Sequence, residues 1–125
     1  MTKIKAILID PVDCSTSYVD IDDSLKSFYS IMNCDLVDAK QIGLDTVMYF
    51  DDEGKLKNDQ RYFQFTVANP IAYCGRCIVI GSNEDGGNED VNIDIDVLTK
   101  QIEWLPEGYS EEPYMEFLPL WILKK

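Results

Sequence analysis

The run KIKAILID, from Lys3 to Asp10, constrains the fold more than any other stretch of the chain. Its apolar side chains are almost continuous, whereas a strand with one wet face would alternate apolar and polar residues. We therefore expect a strand that is covered on both faces. A second short run, RCIVIG, has the β-branched composition of another strand interior.

The segment after Lys3 to Asp10 predicts a hairpin and then a helix. A turn through Pro11 to Ser15 leads to the strand SYVDI. The stretch DDSLKSFYSIMNC then places apolar residues at helical spacing, with acids at its start and an asparagine suited to a left-handed stop at its end. The residues of this pattern are Asp22, Asp23, Leu25, Phe28, Ile31, Met32 and Asn33.

The remainder predicts three further strands and a second helix. Strand candidates are CDLVDAKQIG and LDTVMYFDDEGKLKN, which Gly43 separates, and RYFQFTV. In IDIDVLTKQIEWL, Asp94 or Asp96 is the expected helix cap, and the apolar spacing runs on to Leu105. The pattern predicts an α+β fold, with a small mixed or antiparallel sheet that carries two helices on one face.

Length and charge limit the number of domains and the classes of partner that the chain is expected to have. At 125 residues the chain is long enough for one core, and one domain is the default expectation. Eleven Lys and Arg face 23 Asp and Glu, and a net charge of −12 disfavours a protein that holds DNA or RNA by neutralising phosphates. Charges interrupt the first apolar run and no stretch reaches about 20 apolar residues, so we expect no secretion signal, no membrane association and a cytoplasmic location.

Several short motifs resemble those of a small domain family of unknown function. They are IKAILID, a helix ending in MNCD, DDEGKLK, CGRCIVIG and the acidic helix D-x-L-T-K-Q-I-E-W-L. The resemblance covers about Met1 to Leu105 and implies a small α+β domain found in bacteria, phages and mobile elements, in a setting of host takeover or anti-defence work. It carries over no catalytic residue. We expect residues 1–105 to form this domain and residues 106–125 to be a C-terminal extension.

The pair Cys74 and Cys77 has the C-x-x-C spacing of metal and redox motifs, but a single pair is a weak signal. In one strand, two residues three apart lie about 10 Å from each other on opposite faces. A disulfide needs α-carbons within about 7 Å, which only a turn at Gly75 and Arg76 would allow. We expect structural thiols, with zinc shared with Cys14 or Cys34 and redox chemistry as the alternatives.

The sequence matches none of the common catalytic or ligand-binding motifs that we considered. The chain has no histidine, which removes the Ser-His-Asp and Cys-His arrangements. The loop GSNEDGG lacks the lysine of a phosphate-binding loop and fails the calcium-loop pattern, because the sharp-turn glycine is displaced. Although two of the 23 acids could converge, nothing selects a pair. We expect a non-enzymatic protein with no cofactor and no bound metal.

Acidic residues cluster in two segments without any Lys or Arg, from Asp10 to Asp23 and from Ser82 to Asp96. They form the predicted partner-binding surface: Asp10, Asp13, Asp20, Asp22, Asp23, Glu84, Asp85, Glu89, Asp90, Asp94 and Asp96. One hypothesis is that they imitate nucleic acid and block a host DNA-binding or defence protein. The other is a structural or regulatory module whose acidity serves solubility only.

The C-terminal extension ends in EEPYMEFLPLWILKK, which is strongly apolar and interrupted by Pro113 and Pro119. We expect it to pack on its own domain, with a homodimer contact or a protein partner as alternatives. Strand-like alternation predicts Met115, Phe117 and Trp121 as its buried anchors.

Overall fold

The computed structural model describes residues 3–34, 36–51, 61–66, 72–85 and 87–106. Within these ranges the chain forms nine strands and two short helices. Their bounds are β1 Lys3–Asp10, β2 Ser15–Asp22, α1 Leu25–Met32, β3 Val37–Gly43, β4 Thr46–Asp51, β5 Tyr62–Phe65, β6 Ala72–Cys74, β7 Cys77–Ser82, β8 Asn88–Glu89, α2 Ile95–Lys100 and β9 Ile102–Trp104. The predicted α+β class is confirmed, with strands dominating.

Two antiparallel sheets share these strands. The first sheet has the order β2-β1-β7-β4-β3, and the short β8 adds to the end of β7. The second sheet has the order β6-β5-β9. Every pairing between the described strands is antiparallel, which decides between the mixed and antiparallel alternatives.

The first sheet is covered on both faces, as the composition of β1 predicts. Alternation along β7 sends Ile78 and Ile80 into a core with α1, and Cys77 and Val79 into a core with the second sheet and α2. The two helices therefore lie on opposite faces of the first sheet, and the expectation that both share one face is wrong. On one of these faces α2 shares the cover with the second sheet, since Leu98 packs in the same core as Phe63 and Tyr73.

Helix α1 follows its sequence pattern closely. The Ser24 hydroxyl accepts the Ser27 N–H at 3.2 Å, and Asn33 ends the helix in the left-handed conformation at φ 55°. Phe28 and Met32 are buried, whereas Leu25 at the first turn is 54% exposed.

Helix α2 ends earlier than its apolar spacing predicts. Asp94 is the N-cap and accepts the Asp96 N–H at 3.3 Å. The chain leaves the helix at Gln101, and Ile102–Trp104 becomes β9, paired with β5. The side chains of Ile102 and Trp104 pack into the core with Phe63, and this burial outweighs continuation of a local helical pattern.

The two cysteines of the C-x-x-C pair lie on different sheets. Gly75, at φ 77°, turns the chain between β6 and β7, so that Cys74 lies in the second sheet and Cys77 in the first. The turn that the sequence left open at Gly75 and Arg76 is therefore present, and the two cysteines do not lie in one continuous strand. None of the four cysteines forms a disulfide.

Neither α1 nor α2 has the length and apolar character that a membrane-spanning helix needs. The predicted anchors Met115, Phe117 and Trp121 lie outside the described residues.

Candidate functional site

The two acidic segments meet at one end of the first sheet. The Asp23 carboxylate accepts a hydrogen bond from the Asn88 amide at 2.7 Å, and the Tyr18 hydroxyl accepts the Ile95 N–H at 3.2 Å. The second half of β2 is thereby joined to β8 and to the start of α2. We call this region the acidic end; its carboxylates are Asp20, Asp22, Asp23, Glu84, Asp85, Glu89, Asp90, Asp94 and Asp96.

The loop after β7 is held by one asparagine. The Asn83 side-chain oxygen accepts the N–H groups of Asp85 at 2.9 Å and Gly87 at 2.8 Å, and the Asn83 N–H donates to the Gly87 carbonyl at 2.9 Å. This closed turn presents Glu84 and Asp85 at its exposed tip. Their position is therefore set by hydrogen bonds between the loop backbone and Asn83.

The strand β8 is fixed by a close backbone approach. A Cβ atom built on Gly81 would lie 2.3 Å from the Asp90 carbonyl oxygen, so only glycine fits there. The Asp90 carboxylate accepts the Lys5 N–H at 2.8 Å, and the Val91 N–H donates to the Lys5 carbonyl at 2.8 Å. Asp90 thus anchors β8 beside the start of β1.

Positive charge offsets part of the acidic end. Lys3 lies 3.8 Å from the Asp22 carboxylate, and Lys5 is the cross-strand partner of Asp20. The Lys5 ammonium also sits 5.4 Å from the centre of the Tyr18 ring. The surface near β2 therefore carries mixed charge, whereas the tip at Glu84 and Asp85 is purely acidic.

Two predicted surface residues lie at the other end of β1. Asp10 is 7% exposed and its carboxylate lies 3.3 Å from the Arg76 guanidinium, so it does not belong to an acidic surface. An isolated buried carboxylate is costly, and the ion pair explains its position. Asp13 is exposed in the turn before β2, at the opposite end of the β1–β2 hairpin from the acidic end.

The remaining predicted residues are accessible to different degrees. Asp22 and Asp23 are partly buried and contact Lys3 and Asn88, as above. The exposed members of the acidic end are Asp20, Glu84, Asp85, Glu89, Asp90, Asp94 and Asp96.

The exposure of two leucine side chains at the acidic end was not predicted from the sequence. Leu44 is 87% exposed in the turn before β4, where the Asp45 carbonyl accepts the Ser82 N–H at 2.9 Å. Leu25 is exposed beside Asp23. Leu44 stands between Gly43 and Asp45, and an isolated leucine between two turn formers was the available signal.

The Cys77 thiol is not activated as a nucleophile or a metal ligand. Burial, reinforced by the nearby Cys74, Asp51 and Cys34, raises the pKa of Cys77 well above its ordinary value, which keeps its thiol neutral. Desolvation likewise raises the pKa of Tyr73, with Cys77 as a second cause. Within the described ranges no three His, Cys, Asp or Glu residues converge as metal ligands.

Comparison with known proteins gives one match. No curated protein and no solved structure matches the chain. A family model described as a domain of unknown function, DUF3846, matches residues 4–103, about four fifths of the sequence. This agrees with the resemblance in the short motifs between Met1 and Leu105, and the chain therefore belongs to the DUF3846 family of domains of unknown function.

Proposed function

We propose that the protein is a non-enzymatic module whose acidic end binds a basic surface on a protein partner. The observation that carries this proposal is the junction of the two acidic segments, through Asp23 with Asn88 and Tyr18 with Ile95. Residues more than 60 positions apart in the sequence thereby contribute carboxylates to one region.

The arrangement suits electrostatic recognition. Glu84 and Asp85 are exposed on a loop that the Asn83 side chain holds in place, and Glu89 is exposed on β8, which pairs with β7. Fixed carboxylates lose little freedom on binding, and a surface of one sign speeds encounter with a surface of the other. The exposed Leu44 and Leu25 would add apolar contact at the margin of such an interface.

The charge density indicates a basic protein patch more than a close copy of duplex DNA. Asp20 and Asp22 share one face of β2 about 7 Å apart, a length over which a duplex carries about four charges. Lys3 and Lys5 reduce the local charge further. Binding to a DNA-binding enzyme therefore requires complementarity to its basic residues, without the phosphate spacing of DNA.

The class of partner follows from the family resemblance. The resemblance in short motifs implies a domain of phages and mobile elements, for which blocking a host protein would be an advantage, and DNA-binding and defence proteins present basic grooves. We propose a host protein of this class as the partner.

A structural or regulatory module whose acidity serves solubility is the second candidate. It is favoured by the acids that stabilise the domain itself. Asp10 pairs with Arg76, Asp90 accepts the Lys5 N–H, and Asp94 caps α2. If these roles account for the acids, neutralising the exposed ones will not change binding to any partner.

The test compares two triple variants in affinity capture from bacterial lysate, over a salt series and with duplex DNA as competitor. One variant neutralises the tip (Glu84→Gln, Asp85→Asn, Glu89→Gln). The control neutralises three exposed acids elsewhere (Asp13→Asn, Asp38→Asn, Glu103→Gln).

Each exposed pair contributes about 0.5 kcal/mol, so the tip variant should bind the captured protein about tenfold more weakly by calorimetry. The control should bind like the unmodified protein, and rising salt or DNA should displace the partner. A flat salt response, or equal affinities for the two variants, would favour the solubility module.

A further inference from the structure

The two outer strands of the first sheet, β2 and β3, differ in the regularity of their edges. In β3 the Asp38 carboxylate accepts the Ala39 N–H at 2.8 Å, and the Gln41 amide donates to the Gly43 carbonyl at 3.2 Å. The register between β3 and β4 also shifts between Gln41 and Gly43. Charged and irregular edges of this kind disfavour pairing with another chain.

Strand β2 has a regular edge. All eight of its residues, Ser15–Asp22, pair with β1 in one unbroken register, and the strand contains neither proline nor lysine. Ser17 and Asp20 are exposed, and 47% of the Tyr18 side chain is exposed. A long and regular edge that solvent reaches is a template for one more strand.

The backbone of β1 shows which groups of β2 point outward. The Lys5 N–H donates to the Asp90 carboxylate and the Lys5 carbonyl accepts the Val91 N–H, both at 2.8 Å, on the side of β1 that faces β7 and β8. Lys5 lies opposite Asp20, so these two residues do not exchange hydrogen bonds in the β1–β2 ladder. Bonded and non-bonded pairs alternate, and the backbone groups of alternate β2 residues therefore point away from β1.

These alternate residues, which we call the outward set, are Thr16, Tyr18 and Asp20. Within the described ranges, no hydrogen bond to the backbone N–H or C=O groups of the outward set is found. Asp22 is next in the alternation, and its carbonyl accepts the Ser24 N–H at 2.8 Å where the strand ends. The edge thus presents donors and acceptors about 7 Å apart, the repeat of two strand residues.

The charges beside this edge favour a basic occupant. The side chains of the outward set point to the face that carries α2, where the Tyr18 hydroxyl accepts the Ile95 N–H. The acids there are Asp20, Asp22, Asp94 and Asp96, and the lysines are Lys3 and Lys5. An added strand would lie about 5 Å from β2, which carries two of the acids, and about 10 Å from β1, which carries both lysines. A second copy of a chain with a net charge of −12 would be repelled.

We propose that β2 pairs with an extended segment of the protein partner in which basic and apolar side chains alternate. The backbone of the segment bonds the outward set, and its basic side chains face Asp20 and Asp22. Its apolar side chains lie on the other face of the strand beside Val19, which packs against the core under α1. This inference rests on the proposed binding of a basic partner by the acidic end, and it adds the mode of recognition.

The first test uses synthetic peptides and the unmodified protein. The probe is KVKVKVKV with both ends blocked, and its control KKKKVVVV has the same composition and charge. Two further probes carry N-methyl groups on every lysine or on every valine. Because alternate residues of a strand direct their backbone groups to opposite edges, each methylated probe loses the donors of one edge only.

The alternating peptide should bind about tenfold more tightly than the block control by calorimetry, because it alone presents its charges on one face while its backbone pairs. Methylation of one set of residues should remove this advantage, and methylation of the other set should leave it. In antiparallel pairing the sensitive set is the lysines. Equal affinities of the alternating and block peptides, equal affinities of the two methylated probes, or no binding of the alternating peptide would each overturn the proposal.

A pair of variants at one position separates backbone pairing from charge. Asp20→Asn and Asp20→Pro both remove the carboxylate, but proline alone removes the outward N–H, and it breaks no bond to β1. Asp20→Pro should bind the alternating peptide about fivefold more weakly than Asp20→Asn. Equal affinities of the two folded variants contradict strand pairing. If urea denaturation shows that Asp20→Pro does not fold, the methylated probes decide.

The outcomes for this inference and for the proposed function are distinguishable. If the tip variant weakens capture of the lysate protein while Asp20→Pro and Asp20→Asn bind that protein equally, the acidic end binds a partner without strand pairing and the inference is overturned. If the tip variant and its control capture equally, the proposed function fails, whatever the peptides show. A dimer in sedimentation that dissociates in Asp20→Pro would assign the edge to a second copy and would also overturn the inference.

Discussion

The β1–β2 hairpin carries an ion pair near each of its ends, and the two pairs differ in almost every respect. At one end the Asp10 carboxylate, with 9% of its side chain exposed, lies 3.3 Å from Arg76. At the other, Lys3 and Asp22 are 3.8 Å apart with 68% and 36% of their side chains exposed. Solvent reaches both partners of the second pair, whereas in the first pair the carboxylate is shielded and 47% of the Arg76 side chain is exposed. The role of an acid in this protein is therefore set by burial and partner.

The pair of Asp10 and Arg76 joins three parts of the fold. Arg76 follows the turn at Gly75, and besides contacting Asp10 it donates to the Ile31 carbonyl near the end of α1 at 3.0 Å. Asp10 also accepts the Val12 N–H at 3.0 Å. The guanidinium thus ties β1 and α1 to the connection between the sheets, whereas Lys3 and Asp22 connect two strands that already pair.

The largest difference in stability between the two ends of the hairpin should appear when Asp10 and Asp22 are each replaced by alanine. Asp10→Ala removes the buried carboxylate that pairs with Arg76 and accepts the Val12 N–H, and it should lower the free energy of unfolding by about 2 kcal/mol. Asp22→Ala should cost about 0.5 kcal/mol or less. Urea denaturation of both variants measures the two losses of unfolding free energy. Equal losses would show that the two ion pairs do not differ in their contribution to stability.

A backbone contact at the acidic end should matter more than its charges. Gly81→Ala forces a Cβ against the Asp90 carbonyl and should cost about 1 to 2 kcal/mol, because the β7–β8 pairing must open. Gly43→Ala is the control, since its nearest contact would be 3.6 Å from the Thr46 Cβ. Hydrogen exchange at the Val91 amide should accelerate in Gly81→Ala alone, and equal behaviour of the two variants would contradict the contact.

Alkaline pH should weaken the interior between the sheets. The pKa of Cys77 is raised in the folded state, so its contribution to stability is complete below the ordinary thiol pKa of 9.0 and is lost as the pH rises toward the raised pKa of the folded state. The unfolding free energy should fall by up to about 1.4 kcal/mol per pH unit above that point. The pKa of Tyr73 is also raised from its ordinary value of 10.0, so Tyr73 should add to the loss of stability at higher pH.

Denaturation at pH 7, 9 and 10 tests this prediction. Cys77→Ala should have a shallower decline than the unmodified protein, whereas Cys14→Ala, at an exposed site, should keep the full decline. A decline that is unchanged in Cys77→Ala would show that other groups cause it.

The smallest change in stability is expected from substitutions at the loop tip, where the surface is most acidic. Neutralising Glu84 and Asp85 to Gln and Asn should change the unfolding free energy by less than about 0.5 kcal/mol, because both are exposed at a loop tip. A loss as large as that of Asp10→Ala would remove the distinction between the two ends. Thermal denaturation in low salt is sufficient to measure it.

Local pattern predicted several elements well. The bounds of β1 match KIKAILID, and α1 stops at Asn33, where a left-handed residue ends the helix. These features depend on neighbours within a few positions, through strand alternation and helix capping. The exposed position of Glu84 and Asp85 also follows from the turn-forming composition around them.

Features that depend on distant partners were not predictable in this way. The second sheet consists of strands of three and four residues, and β9 was assigned to a helix because its apolar spacing fits both structures. In the candidate site, Asp10 and Asp20 look alike in sequence. Only the first meets Arg76, 66 residues away.

The sequence by itself determined the α+β class, the two-faced burial of β1, the capped helix α1 and the acidic balance, because side-chain chemistry and short-range backbone preferences suffice for them. Tertiary structure alone decided that the helices take opposite faces, that Cys74 and Cys77 separate at Gly75, and that Asp10 is buried while Asp20 is exposed. The physical reason is that burial and ion pairing depend on which segments meet in space, and residues far apart in the chain set those contacts.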